Sequence, residues 1–541
     1  MLSSPDVVLD APATRPARAE TAADRRVLAW RPGQTAQLTL VGLLLTALVL
    51  ATYWQFVGEY FHGGDTWPHI WTSRVQGPGD VVRILTTPLL TGTIFPDVVA
   101  RFYRPVSSLS YALDYALFGM DPLAFHLTDL LVHALVTLAL CRVVTLVGAP
   151  VWAAGVGAAT FALHPVMVSV VPSLPRRHDS LAAAGLLGSL GLLAWAATHR
   201  GGGERVRLAV AAAVLLEVFG AWAKEVGYAE VLLVGPLLVA ASLAAGFLHP
   251  LTRCARRIAG LVALTLGVAM ILVVLRVLVL GGIGGYRDAP SPLVNIDVAI
   301  NDYVQFLAWP FESAVPRSPR GWVQVFGLLL AISGLPWLFA TRRQRVAIGV
   351  GWVWLVVFLV FQTGTRSLAP YQMYTAIAAL AFVVAGVLAA SLGRLRRTTR
   401  PEHLGAALVG LAGLVVVCGG VVRSSALLTD YADWHRAGEL ARAYLATIRP
   451  CLDAVPPGAS VVADHYVGGI VDDTPEFILL QPGILGDYSV GPAVYLTMPE
   501  HRDLRITARA GVDLPRAPRG MRAECSQASD GTWHVTGIFD V

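Results

Sequence analysis

The sequence has little charge: only 14% of its 541 residues are Asp, Glu, Lys or Arg, against 55% hydrophobic. With a mean hydropathy of +0.61, this excludes an ordinary soluble domain and points to a polytopic membrane protein. Lysine is nearly missing, Lys224 being the only one among 41 basic residues. The net charge of +5 gives no case for nucleic acid as a partner; its placement along the chain bears instead on orientation in the bilayer. Familiar catalytic signatures are also missing: there is no Walker loop, GxSxG elbow, HExxH pair or CxxC repeat. Gly281 to Gly285 follow an apolar run and open no βαβ unit, so they are no dinucleotide fingerprint.

What is present is a series of apolar runs of about 20 residues, the length of helix that crosses a hydrocarbon core. They predict a polytopic α-helical membrane protein with about eleven transmembrane helices, near 37–57, 124–147, 151–171, 180–198, 207–223, 229–248, 258–280, 322–340, 346–361, 371–392 and 403–423. Residues 1–36 lack the apolar core and cleavage site of a signal peptide and read as a disordered cytoplasmic tail. Residues 37–423 form the transmembrane domain, interrupted by loops at 58–122 and 281–321, the second of which is expected to dip back toward the membrane. Residues 424–541 read as a separate small α+β domain, with a helix at 431–449 and β-like runs such as Ser460–Ala463 and Tyr495–Thr497.

Arginine placement gives the orientation. Arg200, Arg205 and Arg207, then Arg253, Arg256 and Arg257, then Arg342, Arg343 and Arg345, then Arg394, Arg396, Arg397 and Arg400 fall in alternate loops, which the positive-inside rule makes cytoplasmic. The N-terminus is then cytoplasmic, the loops 58–122 and 281–321 face outward, and the C-terminal domain is extracytoplasmic. The protein is expected in a plasma membrane. The outer domain has 15 acids against 9 arginines and so no polybasic surface for anionic lipid. Cys451 and Cys525 both lie in it, where an oxidising compartment favours a disulfide between them. Cys141, Cys254 and Cys418 fall in or beside spans as packing residues.

Against that topology some charges stand on the wrong side. Arg176, Arg177 and His178 precede Asp179 at the outer start of the fourth predicted span, where the helix dipole disfavours cations unless an anion sits there. Lys224 and Glu225 lie at the outer end of the fifth, Arg366 at another outer mouth, and Arg101 and Arg104 in the first loop. These four outward cationic sites suggest a pocket for a phosphorylated substrate. Each also has a plain reading, pairing with the neighbouring acids. The stretch Glu59-Tyr60-Phe61-His62-Gly63-Gly64-Asp65-Thr66-Trp67-Pro68-His69 sets a carboxylate at the same membrane face, where it can act as a general base or be an ordinary loop acid. His126 and His133 share one helical face with Asp129, as a metal-ligand set or as a polar seam between helices. His164-Pro165 reads as a kink.

The run Tyr103-Arg104-Pro105-Val106-Ser107-Ser108 through Asp114, Gly119, Asp121-Pro122 and Phe125-His126 to His133 resembles the first outer loop and second span of GT-C glycosyltransferases. It is most similar to the branch of protein O-mannosyltransferases and their tetratricopeptide-bearing relatives. Ala162-Leu163-His164-Pro165-Val166, Arg177-His178-Asp179 and Ala223-Lys224-Glu225 follow in that branch's order, so the likeness covers about residues 55–240, with Arg366 and Tyr371 a weaker echo. The resemblance implies an inverting transfer of sugar from a polyprenyl-phosphate donor to a glycan, lipid or protein acceptor. Asp65 would be the catalytic base; Arg104, Arg177, His178, Lys224 and Arg366 would hold the donor phosphate. Candidate supporting or substrate residues are Glu59, His62, His69, Asp114, His126, His164, Asp179 and Glu225; Glu59, Asp80, Asp114 and Asp121 are the fallback carboxylates. No cofactor is fixed, and a divalent metal ion stays open. Three departures stand out: Asp65 has no adjacent acid, His178 replaces the usual lysine, and no tetratricopeptide repeats follow the last span. The rival reading is a carrier or flippase of polyprenyl-linked sugars, which would show inverted repeats and charges near mid-span.

Overall fold

The computed structural model describes residues 32–199, 203–246, 251–287, 296–309, 311, 314–362, 368–396, 401–470, 483–516 and 518–541. Residues 1–31 of the expected tail lie outside that set. The first helix, α1 (Pro32–Tyr53), begins inside its last part.

The loop after α1 breaks into short pieces because its prolines and glycines recur too often for one long helix. They are α2 (Thr66–Ser73), α3 (Pro78–Thr86), α4 (Phe95–Val98), the two-residue strand β1 (Ala100–Arg101) and α5 (Pro105–Phe118). Proline occupies the first helical position of α3 and α5, where its missing N–H would be unpaired in any case. Two of the fallback acids have cap roles: Asp80 accepts from the backbone N–H of Gln76 (2.9 Å) and Gly77 (3.3 Å). Asp121 accepts from Leu123 N–H (3.1 Å) at the start of the next helix, α6 (Pro122–Leu146).

The third apolar run is shorter than expected. α7 (Val151–Leu163) has 13 residues, about 20 Å of helix against a core of about 30 Å. His164 is forced extended (φ −59°, ψ 131°) by the proline that follows it, and a 3₁₀ turn, Pro165–Ser169, takes over. The bundle continues with α8 (Arg177–Thr198), α9 (Glu204–Ala223), α10 (Glu230–Ala244) and α11 (Leu251–Leu280). β2 (Gly285–Tyr286) then pairs antiparallel with β1, tying the second loop to the first. Next come α12 (Ile296–Ala308), α13 (Pro319–Phe339), α14 (Arg342–Gln362), α15 (Tyr374–Leu395) and α16 (Pro401–Arg423). Ten of the described helices, all but α7 of the expected eleven, are long and apolar enough to cross a membrane. The protein is a polytopic α-helical membrane protein. Small residues allow close helix approach: a Cβ on Gly185 of α8 would lie 2.6 Å from the Gly220 Cα of α9, so these two helices pack side by side.

The C-terminal residues form α17 (Ala432–Asp453), β3 (Ser460–Asp464), β4 (Val467–Ile470), α18 (Val490–Thr497), β5 (Arg505–Arg509), β6 (Val512–Leu514), β7 (Gly520–Gln527) and β8 (Trp533–Asp540). Four strands make one sheet in the order β5-β3-β8-β7, parallel except for β7 against β8; β4 and β6 pair separately. Tyr495–Thr497, expected as strand, is helical: Pro492 sits in the first turn of α18, where a helix tolerates it. This region is less separate than expected. Phe61, Trp67, Ile70, Tyr111, Phe125 and Leu174 share one apolar core with Ala437, Tyr444, Leu445 and Val494. A Cβ on Gly438 would lie 2.6 Å from the carbonyl oxygen of Tyr60, so α17 lies directly on the Asp65 loop.

The structure joins Cys451 of α17 to Cys525 of β7 across 74 residues. Peptide mapping without reductant should therefore recover the two cysteines in one cross-linked species. Cys525→Ser should lower the stability of the C-terminal region by about 2–5 kcal/mol, seen as proteolysis at a lower temperature; recovery of both thiols free from native protein would refute the bond.

Candidate active site

Most of the described residues that broke the charge rule meet at one end of the bundle. They line a cavity of about 630 Å³ that includes Asp65, His69, Arg104, Arg176, His178, Asp179, Lys224 and Glu225. Arg276, Tyr286, Tyr371, Gln372 and Tyr488 complete its polar wall; Phe102, Val273, Val277, Ile283 and Phe361 are part of an apolar one.

Asp65 precedes α2 without using its side chain as a helix cap. One carboxylate oxygen lies 3.3 Å from Arg176 Nη1, and the other accepts a hydrogen bond from the hydroxyl of Tyr488. Burial pushes this carboxyl up, but Arg176, His69 and the Tyr488 hydroxyl outweigh it and hold Asp65 below the usual carboxylate range. His69 is driven down to about 4, first by its burial, so it is neutral at neutral pH.

Each cation is partly neutralised. Arg104 donates to Glu225 from Nε (3.1 Å) and Nη2 (2.6 Å), and Arg276 meets the other oxygen of Glu225 at 3.0 Å. Lys224 pairs with Asp179. His178 Nε2 lies 3.3 Å from both Arg104 Nη1 and Asp179 Oδ2. The Arg176 guanidinium stacks 3.8 Å over the Tyr371 ring, with Lys224 Nζ 5.0 Å from the same ring. Arg104, Arg176, Lys224 and Arg276 thus face Asp65, Asp179 and Glu225: four cations to three acids among the described lining residues. The surplus positive charge, in a half-enclosed and largely apolar cavity, favours an anion with an apolar tail.

Arg177, expected at the phosphate, points elsewhere. It is fully buried, with Nη1 2.5 Å from Asp114, Nε on Asp129 and Nη2 donating to the carbonyl of Phe125 at 2.9 Å. Arg176 ends the 3₁₀ turn Leu174–Arg176 and Arg177 opens α8; Arg176 and His178 line the cavity while Arg177 faces α5 and α6. Asp114 is therefore a partner of Arg177 and of the Thr128 hydroxyl (3.0 Å). Arg366 lies outside the described residues. Glu59 is buried against His435 Nδ1 (2.8 Å) and His62 Nε2 (3.5 Å), away from the large cavity. These two contacts hold it below the usual glutamate range despite burial. His126 is buried near Glu59 and His62. His133 meets the Tyr374 hydroxyl at 2.7 Å and makes no shared ligand set with it. His164 Nδ1 accepts from Val166 N–H at 3.4 Å, as the kink requires. Among the described residues no group of three or more His, Cys, Asp or Glu could hold a metal ion, and no step below is routed through one.

A second cavity of about 300 Å³ opens on the other side of Asp65, lined by His62, Gly63, Gly64, Ser169, Ser173 and Trp434 among others. Asp65, Arg176, Tyr371 and Tyr488 line both. Arg276 and Tyr488 were missed in the sequence. Arg276 left a signal, a lone arginine four residues before the predicted outer end of an apolar helix; Tyr488 left none.

No family model matches the chain. Over 125 residues it is 34% identical to protein O-mannosyl-transferase Tmtc2 of Drosophila melanogaster, covering 23% of this chain and 13% of that protein. Over 130 residues it is 32% identical to protein O-mannosyl-transferase TMTC1 of Homo sapiens, 23% of this chain and 14% of that one. The chain thus matches only about an eighth of the length of these relatives. Among solved structures it aligns with ArnT from Cupriavidus metallidurans at a TM-score of 0.41, 15% identity and coverage of 86% and 89%. It aligns with AglB from Archaeoglobus fulgidus at 0.46, 11% identity and coverage of 88% and 65%. The chain resembles GT-C glycosyltransferases of the O-mannosyl-transferase branch.

The two neighbouring arginines should separate on substitution. Arg177→Ala leaves two buried carboxylates without their cation and should cost about 3–5 kcal/mol, read as thermal unfolding of the detergent-purified protein. Arg176→Ala, at a partly open site, should unfold within a few degrees of the parent; equal losses for both would contradict this division.

Proposed function

We propose that the protein is an inverting glycosyltransferase that moves a sugar from a polyprenyl-phosphate donor to an acceptor hydroxyl at the outer face of the plasma membrane. The observation that carries this is the position of Asp65, a half-buried carboxylate that lines both a cationic, partly apolar cavity and a smaller one beside it. The likeness to proteins named O-mannosyl-transferases supports it.

In this reading the lipid phosphate sits in the large cavity against Arg176, Lys224 and Arg104, with the isoprenoid along Val273, Val277 and Phe361. The acceptor hydroxyl approaches from the small cavity. Asp65 takes its proton, the acceptor oxygen bonds to the anomeric carbon from one face, and the bond from that carbon to the phosphate oxygen breaks on the other. The electron pair leaves with the phosphate, whose charge grows by one. Preorganised cations stabilise charge that develops in the transition state, and a phosphate leaving group needs no acid. One displacement with one base inverts the anomeric centre and needs no second nucleophilic carboxylate. Arg177 serves here by fixing the first turn of α8, and Asp179 and Glu225 by setting Lys224, Arg104 and Arg276. The arginine-rich alternate loops support a cytoplasmic N-terminus, with the site and the C-terminal region on the opposite side.

Membranes containing Asp65→Asn, supplied with radiolabelled polyprenyl-phosphate sugar, should lose transfer by about 10² to 10⁴-fold while still binding the lipid. Turnover near that of the parent would sink the assignment of Asp65 as base.

A further inference from the structure

The carboxylate of Asp65 is held from two directions. Arg176 comes from the helix bundle; Tyr488 comes from the C-terminal region, 423 residues away in sequence. We propose that Tyr488 is a positioning residue that orients the Asp65 carboxylate and keeps it in its basic form, so that the C-terminal region completes the active site rather than merely covering it. This rests on the reading of Asp65 as the base.

The placement of Tyr488 is tightly specified. Gly486 N–H donates to Ser489 Oγ (2.7 Å), and Ser489 N–H donates back to the Gly486 carbonyl (2.9 Å), closing a turn just before α18. Tyr488 N–H donates to the Asp487 carboxylate at 2.9 Å, and its ring packs edge-on against Phe95, centroids 5.3 Å apart. The turn lies on the Asp65 loop: Gly63 N–H donates to the Ile484 carbonyl at 3.0 Å. A Cβ on Gly64 would meet Gly486 N at 3.4 Å. Gly63 has φ +93°, a conformation that suits glycine. The phenol thus reaches Asp65 from a backbone that is itself docked on the residues just before it, and it borders both cavities.

Chemistry fixes the direction of the effect. A buried carboxylate tends to take up a proton; a hydrogen bond donated to the ionised form opposes that. Burial and Asp65 itself push the Tyr488 phenol well above its ordinary range, so it stays protonated and donates. The other groups acting on Asp65 are Arg176 just before α8, His69 from α2 and Arg104 before α5; Tyr286 and Tyr371 line the same cavity. None of these changes in a Tyr488 variant, so the difference isolates the phenol. A base must be deprotonated to act, so activity falls as pH drops through the Asp65 pKa. Loss of the donor raises that pKa and moves the acid limb to higher pH.

The test uses purified full-length protein, labelled polyprenyl-phosphate sugar as donor, and the pH profile of kcat/KM for the parent, Tyr488→Phe and Asp65→Asn. Tyr488→Phe should shift the acid limb up by about one pH unit, with the donor KM unchanged and the deficit largest on the acid side of the limb and shrinking toward neutral pH. Fluorotyrosine at 488, a stronger donor with the same packing, should shift the limb down; it also serves if the phenylalanine variant fails to fold. An unmoved acid limb in both variants, with Asp65→Asn inactive, overturns the proposal and spares the base assignment; a uniform loss at every pH with an unmoved limb does the same, marking a packing role. An active Asp65→Asn overturns both.

Discussion

The site depends on a buried ion cluster that never meets the cavity. Arg177, with its side chain wholly enclosed, binds Asp114 of α5 and Asp129 of α6 and caps the exchange with the Phe125 carbonyl. A guanidinium at that depth is tolerable only when its donors are met, and meeting them requires α5, α6 and the first turn of α8 to be in one arrangement. With Arg177 fixed, its neighbours are held in place: Arg176, ending the 3₁₀ turn before α8, and His178 line the cavity, and Asp179 meets Lys224. The close glycine packing of α8 on α9 then sets the distance across which Asp179 and Lys224 meet.

A second constraint is how a folded chain can keep cations gathered without a ligand. Four basic side chains in one half-buried cavity would repel one another and lose hydration. The chain meets this by sharing acids: Glu225 bridges Arg104 and Arg276, Asp179 holds Lys224, and Asp65 faces Arg176. Repulsion is thereby reduced while one positive charge is left over. Pairing with neighbouring acids and a ligand site are not alternatives here, since neutralisation by neighbours is what allows the cations to stand together at all.

Much of this was legible in the sequence, for physical reasons. Apolar run length gives the spans directly, and misplacement against the arginine pattern picks out Arg104, Lys224, Glu225, Arg176, His178 and Asp179, which the structure brings together. The choice between Arg176 and Arg177 was not legible, because adjacent residues at a helix start have the same composition signal and differ only in azimuth. The length of α7 was misread because hydropathy is blind to the break at Pro165, although the residue itself announces it. Tyr488 could not be found at all: its partner lies 423 positions away, and a tyrosine in a polar C-terminal stretch has no pattern that points to a distant carboxylate. The same holds for the core that Phe61 and Trp67 share with α17, which made a region that reads as separate into part of the wall around Asp65.

That shared core changes how the Asp65 loop is held. On its far side Glu59 meets His435, Tyr60 lies under Gly438, and Gly64 lies against Gly486, all contacts to C-terminal residues. On its near side Arg176, fixed through its neighbour Arg177, meets the Asp65 carboxylate itself, while Phe61 and His69 pack the loop on Phe125 and Tyr111. The carboxylate is therefore located by two frames, the membrane helices through α8 and the C-terminal region through α17 and the 484–489 turn. Its separation from Arg176 reports how the two are docked. In the proposed reading, catalytic geometry is a property of that docking more than of the loop's own sequence, whose glycines supply close approach and turn geometry but no rigidity of their own.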